Sequence, residues 1–268
     1  MIESLILYLV LGAVAGVVAG LFGIGGGLLI VPVLIFSYTL QGLPEAVVTH
    51  SAIATSLATI VVTSIASVRA HNSRGSVRWD LFKPLAAGIA LGALVGVAIA
   101  DSLSGANLQL LLGIFVTSVA VQMWFDLKPK AGGSLPGKSE LGMAGAGIGC
   151  ASSIFGIGGG TLTVPYLTVR GTEMRQSVGT SAACGLPIAA VSALAYIWAG
   201  MDAQGMPEYS LGYIYLPAFV GIALASSQFA KVGAKLAHTL PQKRLKQVFA
   251  LFLLVVGARF LLLNFLGS

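Results

Sequence analysis

Two nearly identical glycine-rich strings are the parts of this sequence best suited to hold a ligand. They are FGIGGGLLIVPVL at residues 22–34 and FGIGGGTLTVPYL at residues 155–167, an offset of 155 − 22 = 133. Gly25, Gly26 and Gly27, like Gly158, Gly159 and Gly160, carry no side chain, so backbone N–H groups there can approach a ligand closely and adopt positive φ. A short helix starting after each triplet would aim its positive end, about half an elementary charge, and its unbonded first-turn N–H groups at one point. Two such tips converging at the centre make an anion site that needs no basic side chain. The competing reading is that the glycines only let helices pack closely. Repetition of the whole string, each copy followed by a short arm and a proline, favours ligand lining. No GK[ST] and no βαβ pattern follows, which excludes a nucleotide-binding loop.

Hydroxyls stand at related places in both halves. Thr55 and Ser56 pair with Thr180 and Ser181 at an offset of 125, inside long apolar runs, and can donate to an oxyanion or bond back to their own helix. His50 and Arg175 match at the same offset, near helix starts, where a cation would draw an anion toward each entrance. Arg259 lies inside the last apolar run and is read as paired or reaching to the outer surface. Cys150 and Cys184 have neither metal-site nor disulfide spacing, so metals, cofactors and redox chemistry find no support. No HExxH, paired intramembrane aspartates or nucleophile–base pair suggests an enzyme.

Apolar helices must position these residues. The 268 residues are 56% hydrophobic and 9% charged, and mean hydropathy is +0.93, which a soluble globular chain does not reach. Residues 46–68, 81–100 and 108–125 run with almost no charge over the length a helix needs to cross roughly 30 Å of hydrocarbon. The first apolar segment lacks a basic n-region and a clear cleavage site, so it reads as a retained segment and not a signal peptide. The net charge of +6 is explained by short basic loops between spans, and nucleic-acid binding is excluded as a reading.

The repeat divides the chain into a first membrane repeat (1–127), a linker (128–139, KPKAGGSLPGKS) and a second repeat (140–268). Arg69, Arg74, Arg78 and Lys83, then Lys128, Lys130 and Lys138, then Lys231, Lys235, Lys243, Arg244 and Lys246 mark the cytoplasmic side. Asp101, Asp202 and Glu208 mark the outer side. Matching loops of the two halves have opposite charge, so the halves have inverted topology, as in many secondary transporters. Residues 161–169 reach only about 14 Å as a helix, half the hydrocarbon, so residues 141–169 read as a re-entrant hairpin tipped by the glycines. The expectation is an all-α integral membrane protein of two inverted-topology repeats, each a re-entrant helical hairpin with tip FGIGGG plus about three full transmembrane helices.

The duplicated GIGGG followed by a proline, with ATS at 54–56, GTS at 179–181 and a central basic linker, resembles the sulfite exporter TauE/SafE family of membrane transporters. The resemblance implies a secondary transporter, in the direction of export, of a small anion such as sulfite, a sulfonate or a related organic anion. It implies a multi-pass protein of a bacterial plasma membrane whose partners are that substrate and the lipid bilayer. A passive anion channel, or a permease for a different small solute, stays open as an alternative. The substrate's identity, the coupling ion and the oligomeric state are not written in the sequence.

Overall fold

The computed structural model describes residues 2–22, 26–125, 133–236 and 242–266. They form α1 (Ile2–Phe22), α2 (Gly27–Leu40), α3 (Glu45–Asn72), α4 (Trp79–Ser102), α5 (Gly105–Trp124), α6 (Lys138–Phe155), α7 (Gly160–Val169), α8 (Met174–Ala199), α9 (Leu216–Leu236) and α10 (Gln242–Leu266). A small hairpin, β1 (Ser210–Leu211) and β2 (Ile214–Tyr215), precedes α9. Helices α3, α4, α5, α8 and residues Leu245–Leu262 of α10 are long and apolar enough to cross a membrane. By contrast α2, with 14 residues, and α7, with 10, extend only about 21 Å and 15 Å. Each of these short helices contains a proline, Pro32 or Pro165, whose missing N–H leaves one carbonyl a turn earlier without its helical donor.

The short helices fold back on their predecessors. Gln41, at the C-cap of α2, donates to the Tyr8 hydroxyl of α1 at 2.8 Å. At the opposite end of the molecule Arg170, at the C-cap of α7, pairs with Glu140 in the first turn of α6, and the Gly133 N–H bonds to the Val169 carbonyl. In each half the end of the short helix is therefore fastened to the helix before it.

Small residues set how these helices meet. A Cβ on Gly88, Gly92 or Gly96 of α4 would strike the backbone at Gly142, Ala146 or Cys150 of α6, so the two helices run parallel in near backbone contact. Gly12 and Gly16 of α1 likewise lie on Ile222 and Ser226 of α9. Ser64 of α3 faces Gly185 of α8 while Ser76, just beyond α3, faces Gly179, so α3 and α8 run antiparallel. Gly113 and Thr117 of α5 against Phe260 and Gly257 of α10 give the same sense. Helix α3 is the most buried of the spans and α10 the least, placing α3 at the centre and α10 at the rim.

One expectation about local structure is corrected. Lys231 and Lys235 lie in α9, and Lys243, Arg244 and Lys246 in α10, so these residues belong to helix ends more than to a loop. Gly25 and the linker lysines Lys128 and Lys130 lie outside the described residues.

Candidate functional site

The two glycine strings meet. A methyl group on Gly27 would sit 2.5 Å from the Gly156 carbonyl oxygen and 2.8 Å from the Ile157 Cα, so the start of α2 rests on the break between α6 and α7. That break is built by Gly156, which ends α6 in the left-handed region at φ 66°, its N–H and that of Ile157 closing onto the Ser152 carbonyl. Ile60 of α3 packs against both Gly27 and Gly158.

The glycines act differently from the expectation of positive φ throughout the triplets. Gly26 and Gly159 are the N-caps of α2 and α7 with φ −71° and −59°, and Gly27 and Gly160 are already the first helical residues. What Gly159 requires is room, because a methyl there would lie 2.7 Å from the Ser181 carbonyl of α8. Beside Gly158, among the described residues, only Ile60 comes near, at an ordinary 3.5 Å. As in any helix, the N–H groups of the first turn of α7 have no carbonyl a turn earlier to bond.

The four hydroxyls divide unequally. Thr55 receives the Tyr215 N–H at 3.1 Å and the Tyr38 hydroxyl at 3.3 Å, and Thr180 receives the Arg78 N–H at 2.9 Å. Tyr215 immediately precedes α9 and Arg78 caps α4, so each threonine fastens the start of a helix from the other half. Ser56 donates to the Gly156 carbonyl at 2.9 Å and so holds the second tip in place. Ser181 is 1% exposed, its hydroxyl has no hydrogen-bond partner among the described residues, and its Oγ lies 3.3 Å from where a Cβ on Gly159 would be. A buried donor without a partner, beside the N-terminus of a helix, is suited to an anion.

The two candidate entrance residues differ in exposure. His50 is buried, its Nε2 2.9 Å from the Ala100 carbonyl and its Nδ1 3.2 Å from that of Ala46, with its ring stacked on Tyr213. Tyr213, in the turn between β1 and β2, donates to Asp101 at 3.2 Å. Burial and then the Asp101 carboxylate push its phenol up to about 12, so it remains a donor over the physiological range. Arg175 is exposed and donates to the Arg74 carbonyl at 2.8 Å, tying the start of α8 to the α3–α4 turn.

Sequence reasoning missed the hydroxyls of α7. The two strings differ at Leu28/Thr161, Ile30/Thr163 and Val33/Tyr166, and in every pair the second half carries the hydroxyl. Among the described residues all three of those hydroxyls are buried without a partner, as is that of Ser152 at the end of α6. Thr163 follows Gly159 by four residues and shares its helix face, which is the face turned to Ser181. The mismatches within the repeat were the available signal.

A bundle of apolar helices, five of them long enough to cross a membrane, in which the two glycine strings touch beside hydroxyls without partners among the described residues, defines a multi-pass membrane protein. The family model described as sulfite exporter TauE/SafE matches residues 8–260, and the chain belongs to that family. A probable membrane transporter protein of Haemophilus influenzae is 40% identical over 260 residues, covering 96% of this chain and 98% of the relative. One of Methanocaldococcus jannaschii is 27% identical over 265 residues, covering 96% and 95%. A third, of Bacillus subtilis, is 25% identical and covers 92% and 96%. No solved structure matches the chain. The protein is a membrane transporter by family and by relatives.

Proposed function

We propose that this transporter carries a small oxyanion, sulfite or a sulfonate, outward across the membrane, and that the anion sits at the second glycine tip. The observation that carries this reading is the Ser181 hydroxyl, buried and without a partner against Gly159, the N-cap of α7. There the first-turn N–H groups of α7, the Ser181 hydroxyl and the Thr163 hydroxyl supply donors, and the helix end supplies positive potential without a cation. Gly158, where a methyl would meet Ile60 only at ordinary contact distance, leaves the backbone open around that point. Gly25, Gly26 and Gly160 complete the two tips, while Thr55, Ser56 and Thr180 hold the frame that positions them. Arg175 adds positive charge where α8 begins, and His50 ties α3 to the end of α4 at the other end.

Transport in this reading is alternating access by two inverted repeats, 1–127 and 140–268, joined by the linker at 128–139. Support comes from the antiparallel run of α3 against α8 and of α5 against α10, which correspond under the 133-residue repeat, and from hairpins whose open ends lie at opposite ends of the molecule. The test is uptake of radiolabelled sulfite, thiosulfate, sulfate, sulfoacetate and carboxylates into proteoliposomes. Saturable sulfite or sulfonate exchange that weakens in Ser181→Ala is the expected result. Uptake of none of these anions, or exchange indifferent to Ser181, would overturn the assignment.

A further inference from the structure

A second feature lies away from the tips. Between α2 and the rim helix α10 runs a groove of about 920 Å³, floored by the starts of α3 and α5. Its two walls extend from Pro32 to Thr39 and from Phe252 to Arg259, eight residues each, or about 10 Å along the helix axis. The groove is polarised along that length. Pro32, Val33 and Phe252 line one end, while Thr39, Glu45 and Arg259 stand toward the other, the end at which α3 and α5 begin. Arg259 is exposed on a helix that is otherwise apolar there, and its guanidinium lies 4.8 Å from the centroid of the Phe36 ring. Among the described residues no carboxylate pairs with it, and Glu45 at the same mouth has no ion pair either.

One positive and one negative side chain, unpaired with each other, over a long apolar slot open at the protein's rim, complement an amphiphile that carries both charges. We propose that the groove binds one glycerophospholipid with an ammonium-bearing zwitterionic headgroup, phosphatidylethanolamine. Its phosphate sits on Arg259, its ammonium donates to Glu45, and an acyl chain lies along Pro32, Val33 and Phe252. A small free anion would satisfy Arg259 but leave the apolar length unused and meet the Glu45 carboxylate. An anionic lipid would meet that carboxylate too, whereas a choline headgroup has no N–H to offer it. The guanidinium, in turn, suits a phosphate better than an ammonium of lysine would.

The full-length protein in nanodiscs of equal parts phosphatidylethanolamine, phosphatidylglycerol and phosphatidylcholine is extracted into detergent, and the retained lipids are counted by native mass spectrometry. Phosphatidylethanolamine should be retained over the other two. Arg259→Gln should lower its retention about fivefold, the effect of one basic residue near a membrane surface. Glu45→Gln should erase the preference for ethanolamine over choline while leaving total phospholipid retention in place. Arg259→Lys, which keeps the charge, should fall between wild type and Arg259→Gln, and it carries the test should the glutamine variant not fold. Preferential retention of phosphatidylglycerol, equal retention by wild type and the Arg259 variants, or displacement of lipid by added sulfite would each overturn the proposal. Transport by these variants in pure phosphatidylcholine vesicles separates this groove from the tip site, since neither residue belongs to the latter.

Discussion

Ser56 and Ser181 are equivalent by sequence and opposite in use. Ser56 spends its hydroxyl on the Gly156 carbonyl, whereas Ser181 keeps its own unspent beside Gly159. Ser56→Ala should therefore lower the melting point in detergent, because it leaves a buried carbonyl without its donor at a cost of about 1–3 kcal/mol. Ser181→Ala should melt like wild type and weaken anion affinity about tenfold, the worth of one hydrogen bond to a charged group. Thr163→Val should behave like Ser181→Ala. The glycines divide in the same way. A methyl at Gly158 meets only Ile60 at ordinary contact distance, and one at Gly26 meets the flexible end of Ile30 at 3.0 Å, so both alanine variants should fold. At Gly159 the methyl would lie 2.7 Å from backbone, and at Gly27 2.5 Å, so Gly159→Ala and Gly27→Ala should cost expression and thermal stability. Equal melting of all four would remove the distinction between space for packing and space for a ligand.

At the scale of elements, the glycine contacts of α4 on α6 and of α1 on α9 bind a hairpin of one half to a long helix of the other. Gly92→Val should abolish a folded product, since the backbone of Ala146 occupies the place of its side chain. The Arg170–Glu140 pair closing the second hairpin is a weaker fastening. Its side chains are 37% and 41% exposed, where solvent screening leaves such pairs at about 0–1 kcal/mol. Glu140→Gln should accordingly shift the melting point little, and a large loss would show that the pair holds the hairpin shut.

For the whole molecule, the ends that carry Arg74 and Asp101 are distinct, because Arg175 reaches the Arg74 turn while Tyr213 reaches Asp101. Single cysteines placed in the Arg74 turn and beside Asp202 should be labelled by impermeant reagents from opposite faces of the membrane, the former from the cytoplasm. Labelling from one face would break the inverted arrangement. Transport should also be independent of sodium. Among the described residues the acidic ones lie near helix ends or in connections, as with Asp80, Asp101, Asp202 and Glu208, which leaves the apolar spans described without a carboxylate to bind the ion. A strict sodium requirement in proteoliposomes would contradict this.

Composition and the repeat already determined the membrane class, the long spans at 46–68, 81–100 and 108–125, the short helix after the second glycine string, and the family. Those features depend on local hydropathy and on residues adjacent in the chain, and such terms can be summed along a sequence. What only the tertiary structure decided is which polar groups are spent. Thr55 meets Tyr215 across 160 positions and Ser56 meets Gly156 across 100, and nothing local distinguishes them from Ser181. The same holds for Gly27 and Gly159, read as flexible and found in helical conformation, where their lack of a side chain admits a neighbouring backbone. Hydrogen-bond satisfaction and close approach are pairwise properties of residues far apart in sequence, so they exist only once the helices are packed.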